Sequence, residues 1–225
     1  MEQPLHAILD QGIIAIVRGV APSHIIPTVE ALYSGGIGAV EITFDQRSPQ
    51  TIAQTLESLS LIHSNFQGRM LLGAGTVLTV EQVESAAANG AQYMISPNVD
   101  VEVIRHTKKL GCLSFPGALT PTEIVTAHNA GADAVKLFPA GTFGPGYIKA
   151  IMGPLGHIPY FAVGGITPDN MEDFIEIGVR GFGIGGNLVD LKAIMENRFE
   201  AIEATARRYS TNWTMIKTNR AGIQR

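Results

Sequence analysis

The chain is short of cysteine, of basic charge and of long apolar runs. Cys112 is the only cysteine, so a disulfide framework is impossible, and its setting, Cys112-Leu113-Ser114-Phe115, predicts a packed and inert thiol. Such a chain suits a reducing cytoplasm. A net charge of −4 and a pI near 5.8 leave no basic face for a nucleic-acid backbone. The six histidines are scattered rather than paired at metal-ligand spacing, so a structural zinc site is not expected. No apolar run approaches the ~20 residues of a membrane span. Met1 is followed by Glu2-Gln3-Pro4, not by a basic and then an apolar segment, so neither an export signal nor membrane insertion is expected.

What is present is a regular alternation. The 225 residues stay apolar-rich and free of low-complexity segments throughout, which favours one large domain over two small ones. Eight short apolar segments read as strands: Ile13–Val17, Ala39–Thr43, Met70–Gly73, Gln92–Ser96, Cys112–Pro116, Ala134–Phe138, Tyr160–Val163 and Gly181–Ile184. The stretches between them are helical in pattern and carry start and stop signals. Thr79 with Gln82, and Thr120 with Pro121 and Glu123, read as capping boxes, and Ser48-Pro49 and Thr167-Pro168 share the logic of an N-cap followed by proline. Gly36, Gly90, Gly111, Gly131 and Gly178 each stand a few residues before the next strand, where a left-handed residue ends a helix.

Strand, capped helix, terminal glycine and next strand repeat about every 20 to 30 residues, which demands parallel strands with helical crossovers. Eight such units predict a single-domain (β/α)8 barrel of the TIM type over about residues 13–190. An open doubly wound sheet is the alternative, but no G-x-G-x-x-G or Walker sequence follows the first strand. Beyond about residue 190 the pattern predicts a closing helix and, from Ser210, a loose tail.

Two of the apolar strands carry one charge each. Lys136 lies within Ala134-Val135-Lys136-Leu137-Phe138-Pro139, and Glu41 within Ala39-Val40-Glu41-Ile42-Thr43. A lysine is rarely buried without a partner or a task. In a dry site the ammonium form of an amine is disfavoured, so the free base becomes available to attack a ketone, as a Schiff-base enzyme requires. The alternative is a structural Glu–Lys pair that locks two strands together. Phe138 and Pro139 would keep the amine dry, or could be ordinary packing.

In a barrel of this type the reactive groups sit at the carboxyl ends of the strands. Following that edge gives Arg18, Glu41, Thr76, Pro97 with Asn98, Pro116 with Gly117, Lys136, Gly164 with Gly165, and Gly185 with Gly186 and Asn187. The two Gly-Gly pairs follow the last two strands, where bare backbone amides can cradle a phosphate, although each pair could be a tight turn. Thr76 could meet a substrate carboxylate or carbonyl, or could cap the next helix. Arg18 could hold a carboxylate or phosphate, or make a surface salt bridge.

Taken together, Val40-Glu41-Ile42-Thr43, Gly73-Ala74-Gly75-Thr76-Val77-Leu78, Ile95-Ser96-Pro97, Pro116-Gly117, Lys136-Leu137-Phe138-Pro139-Ala140 and Gly164-Gly165-Ile166 resemble, in order, the family of 2-keto-3-deoxy-6-phosphogluconate (KDPG) and 4-hydroxy-2-oxoglutarate (KHG) aldolases. The resemblance runs from about Ile13 to Val189. It implies a class I enzyme on a (β/α)8 barrel, usually a homotrimer, with no metal or organic cofactor. It places the Schiff-base lysine on Lys136 and the general acid/base glutamate on Glu41. Thr76 takes the place of the substrate-carboxylate threonine, and Gly165 and Gly186 supply phosphate-end backbone. Arg18, Pro97, Phe138, Val163, Gly164, Gly185 and Asn187, from the reading of the strand ends, complete the candidate substrate-binding set. The implied substrate is a 2-keto-3-deoxy-6-phospho sugar acid, cleaved to pyruvate and glyceraldehyde 3-phosphate.

The chain departs from the family pattern at three positions. Asp45 stands four residues after Glu41, where many members have an arginine that helps hold the pyruvyl end; that role passes to Arg18 or is lost. Val163 replaces the threonine that many gluconate-type members carry before Gly164-Gly165. Members acting on the galactonate epimer resemble this chain there, and at Ser96-Pro97-Asn98 and Phe143-Gly144-Pro145-Gly146-Tyr147-Ile148-Lys149, so epimer preference could relax or invert. Asn187, where others have serine, keeps a polar donor toward the expected phosphate. Rival readings are cleavage of 4-hydroxy-2-oxoglutarate to pyruvate and glyoxylate, a phosphate-binding barrel isomerase or epimerase, and a non-catalytic sugar-phosphate-binding protein.

Overall fold

The computed structural model describes residues 2–223. Helix α1 (Glu2–Gln11) precedes β1 (Ile13–Val17), and the alternation then runs α2 (Pro22–Ser34), β2 (Ala39–Thr43), α3 (Pro49–Phe66), β3 (Leu71–Gly75), α4 (Val80–Ala88), β4 (Tyr93–Ile95) and α5 (Val101–Lys109). The second half comprises β5 (Leu113–Phe115), β6 (Gly117–Ala118), α6 (Pro121–Asn129), β7 (Val135–Leu137), α7 (Ala140–Leu155), β8 (Tyr160–Val163), α8 (Met171–Glu176), β9 (Gly181–Ile184), α9 (Leu191–Met195) and α10 (Phe199–Ile223). All strand pairs are parallel, in the order β5-β4-β3-β2-β1-β9-β8-β7-β6.

The two ends of that order are one strand. β5 pairs with β4 and β6 pairs with β7, with only Pro116 between them. Proline has no N–H to give the ladder, so the strand breaks there. The Pro116 carbonyl still accepts from the Lys136 N–H at 2.9 Å, and the Ser114 carbonyl accepts from the Asp133 N–H at 3.0 Å. The sheet therefore closes, and the fold is the expected (β/α)8 barrel with its fifth strand in two pieces.

Local signals act largely as expected. Ser48 and Thr120 form full capping boxes, and Gly36, Gly90, Gly111, Gly131 and Gly178 all have positive φ. Thr79 caps α4 by accepting from the Gln82 N–H, but the Gln82 side chain does not complete the box: its Oε1 accepts from the Leu78 N–H instead. Thr167-Pro168 does not start a helix. Asn170 Oδ1 accepts from the Thr167 N–H and closes a turn, and α8 begins only at Met171.

Side chains alternate across each strand, and the inward set forms a separate apolar cluster of Ile14, Ala39, Tyr93, Ile95, Leu113, Phe115, Ala134 and Phe161. Phe115 stacks on Phe161 with ring centres 5.5 Å apart, and Tyr93 leans on Phe115 at 5.9 Å. Ile8 of α1, with Leu5 and Leu9, closes this cluster. Two residues beyond Ala39 and Ala134, the same inward faces carry Glu41 and Lys136. The barrel is thus apolar at one end and bears two ionisable groups toward the other.

The stretch from Ser210, expected to be loose, continues α10 as helix to Ile223. Tyr209 donates to the Ile166 carbonyl at 3.1 Å, Ser210 to the Gly35 carbonyl at 2.6 Å and Trp213 Nε1 to the Asp10 carbonyl at 3.3 Å. Gly12, at φ +65°, leaves room for the indole: a Cβ there would lie 2.0 Å from the Trp213 ring. Trp213→Ala is therefore expected to lower stability by about 3 kcal/mol. A urea melt followed by circular dichroism checks this, since Trp213 is the only tryptophan; an unchanged midpoint would show that the end of α10 contributes nothing to the fold. No described helix is long and apolar enough to cross a membrane.

Candidate active site

At the carboxyl ends of the strands lies a cavity of about 510 Å³. Arg18 follows β1, Thr76 follows β3 and Pro97 comes two residues after β4. Lys136 lies on β7 with Phe138 just after it, Val163 ends β8 and Gly164 and Gly165 follow it, and Gly185, Gly186 and Asn187 follow β9; all of them line it. Ile16, Ile166, Gly183 and Ile184, which the sequence does not single out, complete the wall. Among the described residues, Arg18 and Lys136 are the charged ones that line it.

Glu41 lies within the barrel and is not part of the lining. It is 1% exposed, and among the described residues neither carboxylate oxygen has a hydrogen-bond partner. It occupies the space over Gly75, where an added Cβ would fall 1.7 Å from Glu41 Oε1, and Tyr93 likewise covers Gly73. On one face of β3, Gly75 makes room for the carboxylate and Gly73 for the Tyr93 ring. Burial pushes the Glu41 carboxyl up from its ordinary value of 4.5, and the charges of Lys136 and then Arg18 only partly draw it back. The Tyr93 hydroxyl is also pushed well up, by burial and then by Glu41, and donates to the Val40 carbonyl as a neutral group.

Lys136 is 7% exposed. Among the described residues no carboxylate lies within 4.0 Å of its amine, so Lys136 and Glu41 do not form the strand-locking ion pair that was the alternative reading. The amine instead stands 5.3 Å from the centre of the Phe138 ring.

Arg18 Nη2 donates to Thr76 Oγ1 at 3.2 Å, so the guanidinium and the hydroxyl share one side of the cavity. Thr76 is not a helix cap, because Thr79 fills that role. Its φ of +57° is rare for a β-branched residue. Asp45 lies outside the cavity in a bidentate pair with exposed Arg47, whose hydrogen bonds hold its carboxyl down to about 2. Arg18 is thus the arginine that lines the cavity.

Gly164 and Gly165 have φ of +88° and +73°, and Gly185 and Gly186 have no atom within 4 Å of an added Cβ. Both pairs present bare backbone to the cavity. Asn187 departs from the expectation of a donor aimed at a phosphate: its Nδ2 donates to the Ile166 carbonyl at 3.1 Å and ties the two glycine loops together. Among the described residues no three His, Cys, Asp or Glu gather as a candidate metal site.

The family model for KDPG and KHG aldolase matches residues 6–205. A 2-dehydro-3-deoxy-6-phosphogalactonate aldolase of Escherichia coli is 39% identical over 198 residues, 88% of this chain and 94% of that one. A solved structure described as native KDPGal superposes with a TM-score of 0.82 at 38% identity, covering 92% of this chain and 96% of that one. The KDPG aldolase of Legionella pneumophila, solved with pyruvate captured as a covalent carbinolamine, gives 0.81 at 28% identity over 91% and 97%. On the matched family model and these relatives, the chain belongs to the KDPG and KHG aldolase family.

Proposed function

We propose that this chain is a class I, Schiff-base aldolase that cleaves a 2-keto-3-deoxy-6-phospho sugar acid to pyruvate and glyceraldehyde 3-phosphate, with Lys136 as nucleophile and Glu41 as proton carrier. The observation that carries this reading is the pairing of an amine and a carboxyl group in one barrel interior, both nearly buried and neither neutralised by the other. Neutral Lys136 attacks the C2 ketone; the carbinolamine loses water to a protonated imine, which accepts the electron pair of the C3–C4 bond as that bond breaks. Glu41, directly or through one water, takes the C4 hydroxyl proton, and glyceraldehyde 3-phosphate leaves behind an enamine. The same carboxyl group protonates C3, and hydrolysis of the imine frees pyruvate and the amine. A carboxyl group with a raised pKa is suited to both halves of this shuttle.

Arg18 and Thr76 receive the carboxylate end, and the backbone of Gly164-Gly165 and Gly185-Gly186 receives the phosphate. Pro97, Phe138, Val163 and Asn187 shape the remaining wall. A homotrimer acting in the cytoplasm belongs to the same reading, supported by the family resemblance and by the single buried thiol of Cys112. Borohydride reduction in the presence of pyruvate, followed by peptide mass mapping, tests the whole: a pyruvyl adduct on Lys136 is expected. No adduct on the folded protein would return Lys136 to charge pairing and favour an isomerase or a binding protein.

For the epimer, Val163 and the 39% identical relative named for the galactonate substrate support that series. Val163 packs against Gly183, whose added Cβ would lie 2.8 Å from Val163 Cγ2, and offers the substrate only methyl groups. Val163→Thr supplies a hydroxyl there and is expected to shift the kcat/KM ratio toward the gluconate epimer by roughly tenfold. An unchanged ratio would remove Val163 from epimer selection.

A further inference from the structure

The left-handed turn at Thr76 is held by residues that never reach the cavity. Gln46 Nε2 donates to the Thr76 carbonyl at 2.8 Å, and Gln82 Oε1 accepts from the Leu78 N–H at 2.8 Å. The two side-chain amides also bond reciprocally: Gln82 Nε2 donates to Gln46 Oε1 at 2.7 Å, and Gln46 Nε2 approaches Gln82 Oε1 at 3.4 Å. Each amide's orientation is fixed chemically, because a carbonyl needs a donor and an N–H needs an acceptor. Between them, the Val77 N–H donates to the Ile95 carbonyl at 3.2 Å and the Val77 carbonyl accepts from buried Ser96 Oγ at 2.7 Å. Every backbone polar group from the Thr76 carbonyl to the Leu78 N–H is thereby tied down.

We infer that Gln46 and Gln82 are positioning residues that hold Thr76 in its left-handed conformation, so that its hydroxyl and the attached Arg18 guanidinium are pre-set for the carboxylate of the bound keto acid. The inference rests on the reading of Thr76 and Arg18 as the carboxylate site. A threonine at φ +57° is strained and persists only where its surroundings over-determine it. The glutamine pair is the polar clamp on the carboxyl side of that residue. Loosening it lets Thr76 relax toward negative φ, and its Oγ1 then leaves the place where Arg18 meets it. Lys136 belongs to a different strand, so imine chemistry at saturating substrate is unaffected.

Borohydride trapping by pyruvate, titrated over pyruvate concentration, tests this with Gln46→Ala, Gln82→Leu and Gln82→Glu. Gln46 is exposed, so its replacement leaves the fold intact; Gln82→Glu keeps the acceptor for the Leu78 N–H. Gln46→Ala and Gln82→Leu are expected to raise the half-saturating pyruvate concentration by about tenfold while the saturating yield of Lys136 adduct stays at the wild-type level. Gln82→Glu is expected to stay closer to wild type than Gln82→Leu. Unchanged half-saturation in Gln46→Ala and Gln82→Leu overturns the inference, as does an equal fall in saturating yield. Absence of any adduct in the wild-type protein instead overturns the aldolase reading beneath it.

Discussion

Replacing Lys136 with alanine is expected to abolish imine formation and to lower turnover by more than about 10⁴-fold, with the fold intact. Removing one member of a buried ion pair is usually strongly destabilising, because the partner is left charged and unpaired. Here no ion pair is lost. Glu41 has no hydrogen bond to the amine, and the Coulombic pull of Lys136 on its carboxyl is already outweighed by burial. With Lys136 gone that pull goes too, and Glu41 holds its proton to still higher pH. Lys136→Arg separates charge from nucleophilicity: the guanidinium places a fixed positive charge at that position, stays protonated and forms no imine. Both variants are expected to give no pyruvyl adduct after borohydride and to melt near the wild-type temperature. Normal turnover in either one would end the covalent mechanism.

The charged pair was legible in the sequence because each residue is the lone charge in a short apolar strand, and period-2 alternation then places both inside the barrel. The eight strands were legible for a related reason, since caps and terminal glycines punctuate each crossover. Other features depend on contacts between distant segments. The need for a glycine at Gly75 is visible only once Glu41 is seen to occupy the space a Cβ would need. The Gln46–Gln82 clamp joins residues 36 positions apart, through bonds that depend on β2 and β3 lying side by side. The end of α10 was obscure because its buried residues, Ile202, Ala206, Tyr209, Trp213 and Ile216, form a narrow seam in an otherwise polar segment. Pro116 was read within a continuous strand, whereas its missing N–H splits that strand where the barrel closes.

Glu41→Gln should separate bond making from proton transfer, and should reveal the energetic consequence of burying the carboxyl group. Lys136 is untouched, so borohydride trapping with pyruvate is expected to proceed as in the wild type. Exchange of the pyruvate methyl protons for deuterium, which requires C3 protonation and deprotonation, is expected to fall by roughly 10²-fold to 10⁴-fold, and aldol cleavage with it. Stability should move the other way with pH. Burial raises the Glu41 pKa in the folded state above its ordinary value of 4.5, so on raising the pH the unfolded chain loses this proton first. Between the two values the native state binds more protons than the unfolded one, and the wild-type protein loses stability as pH rises. Glutamine has no such transition. The stability of Glu41→Gln relative to wild type is therefore expected to be constant below about pH 4.5, to grow as pH rises above it, and to level off beyond the folded-state pKa. Parallel urea melts of the two proteins across that range measure the difference. A flat difference would mean that Glu41 titrates normally, and a falling one that its carboxylate is stabilised. Either outcome would leave the proton shuttle without the raised pKa on which its double role as base and acid depends.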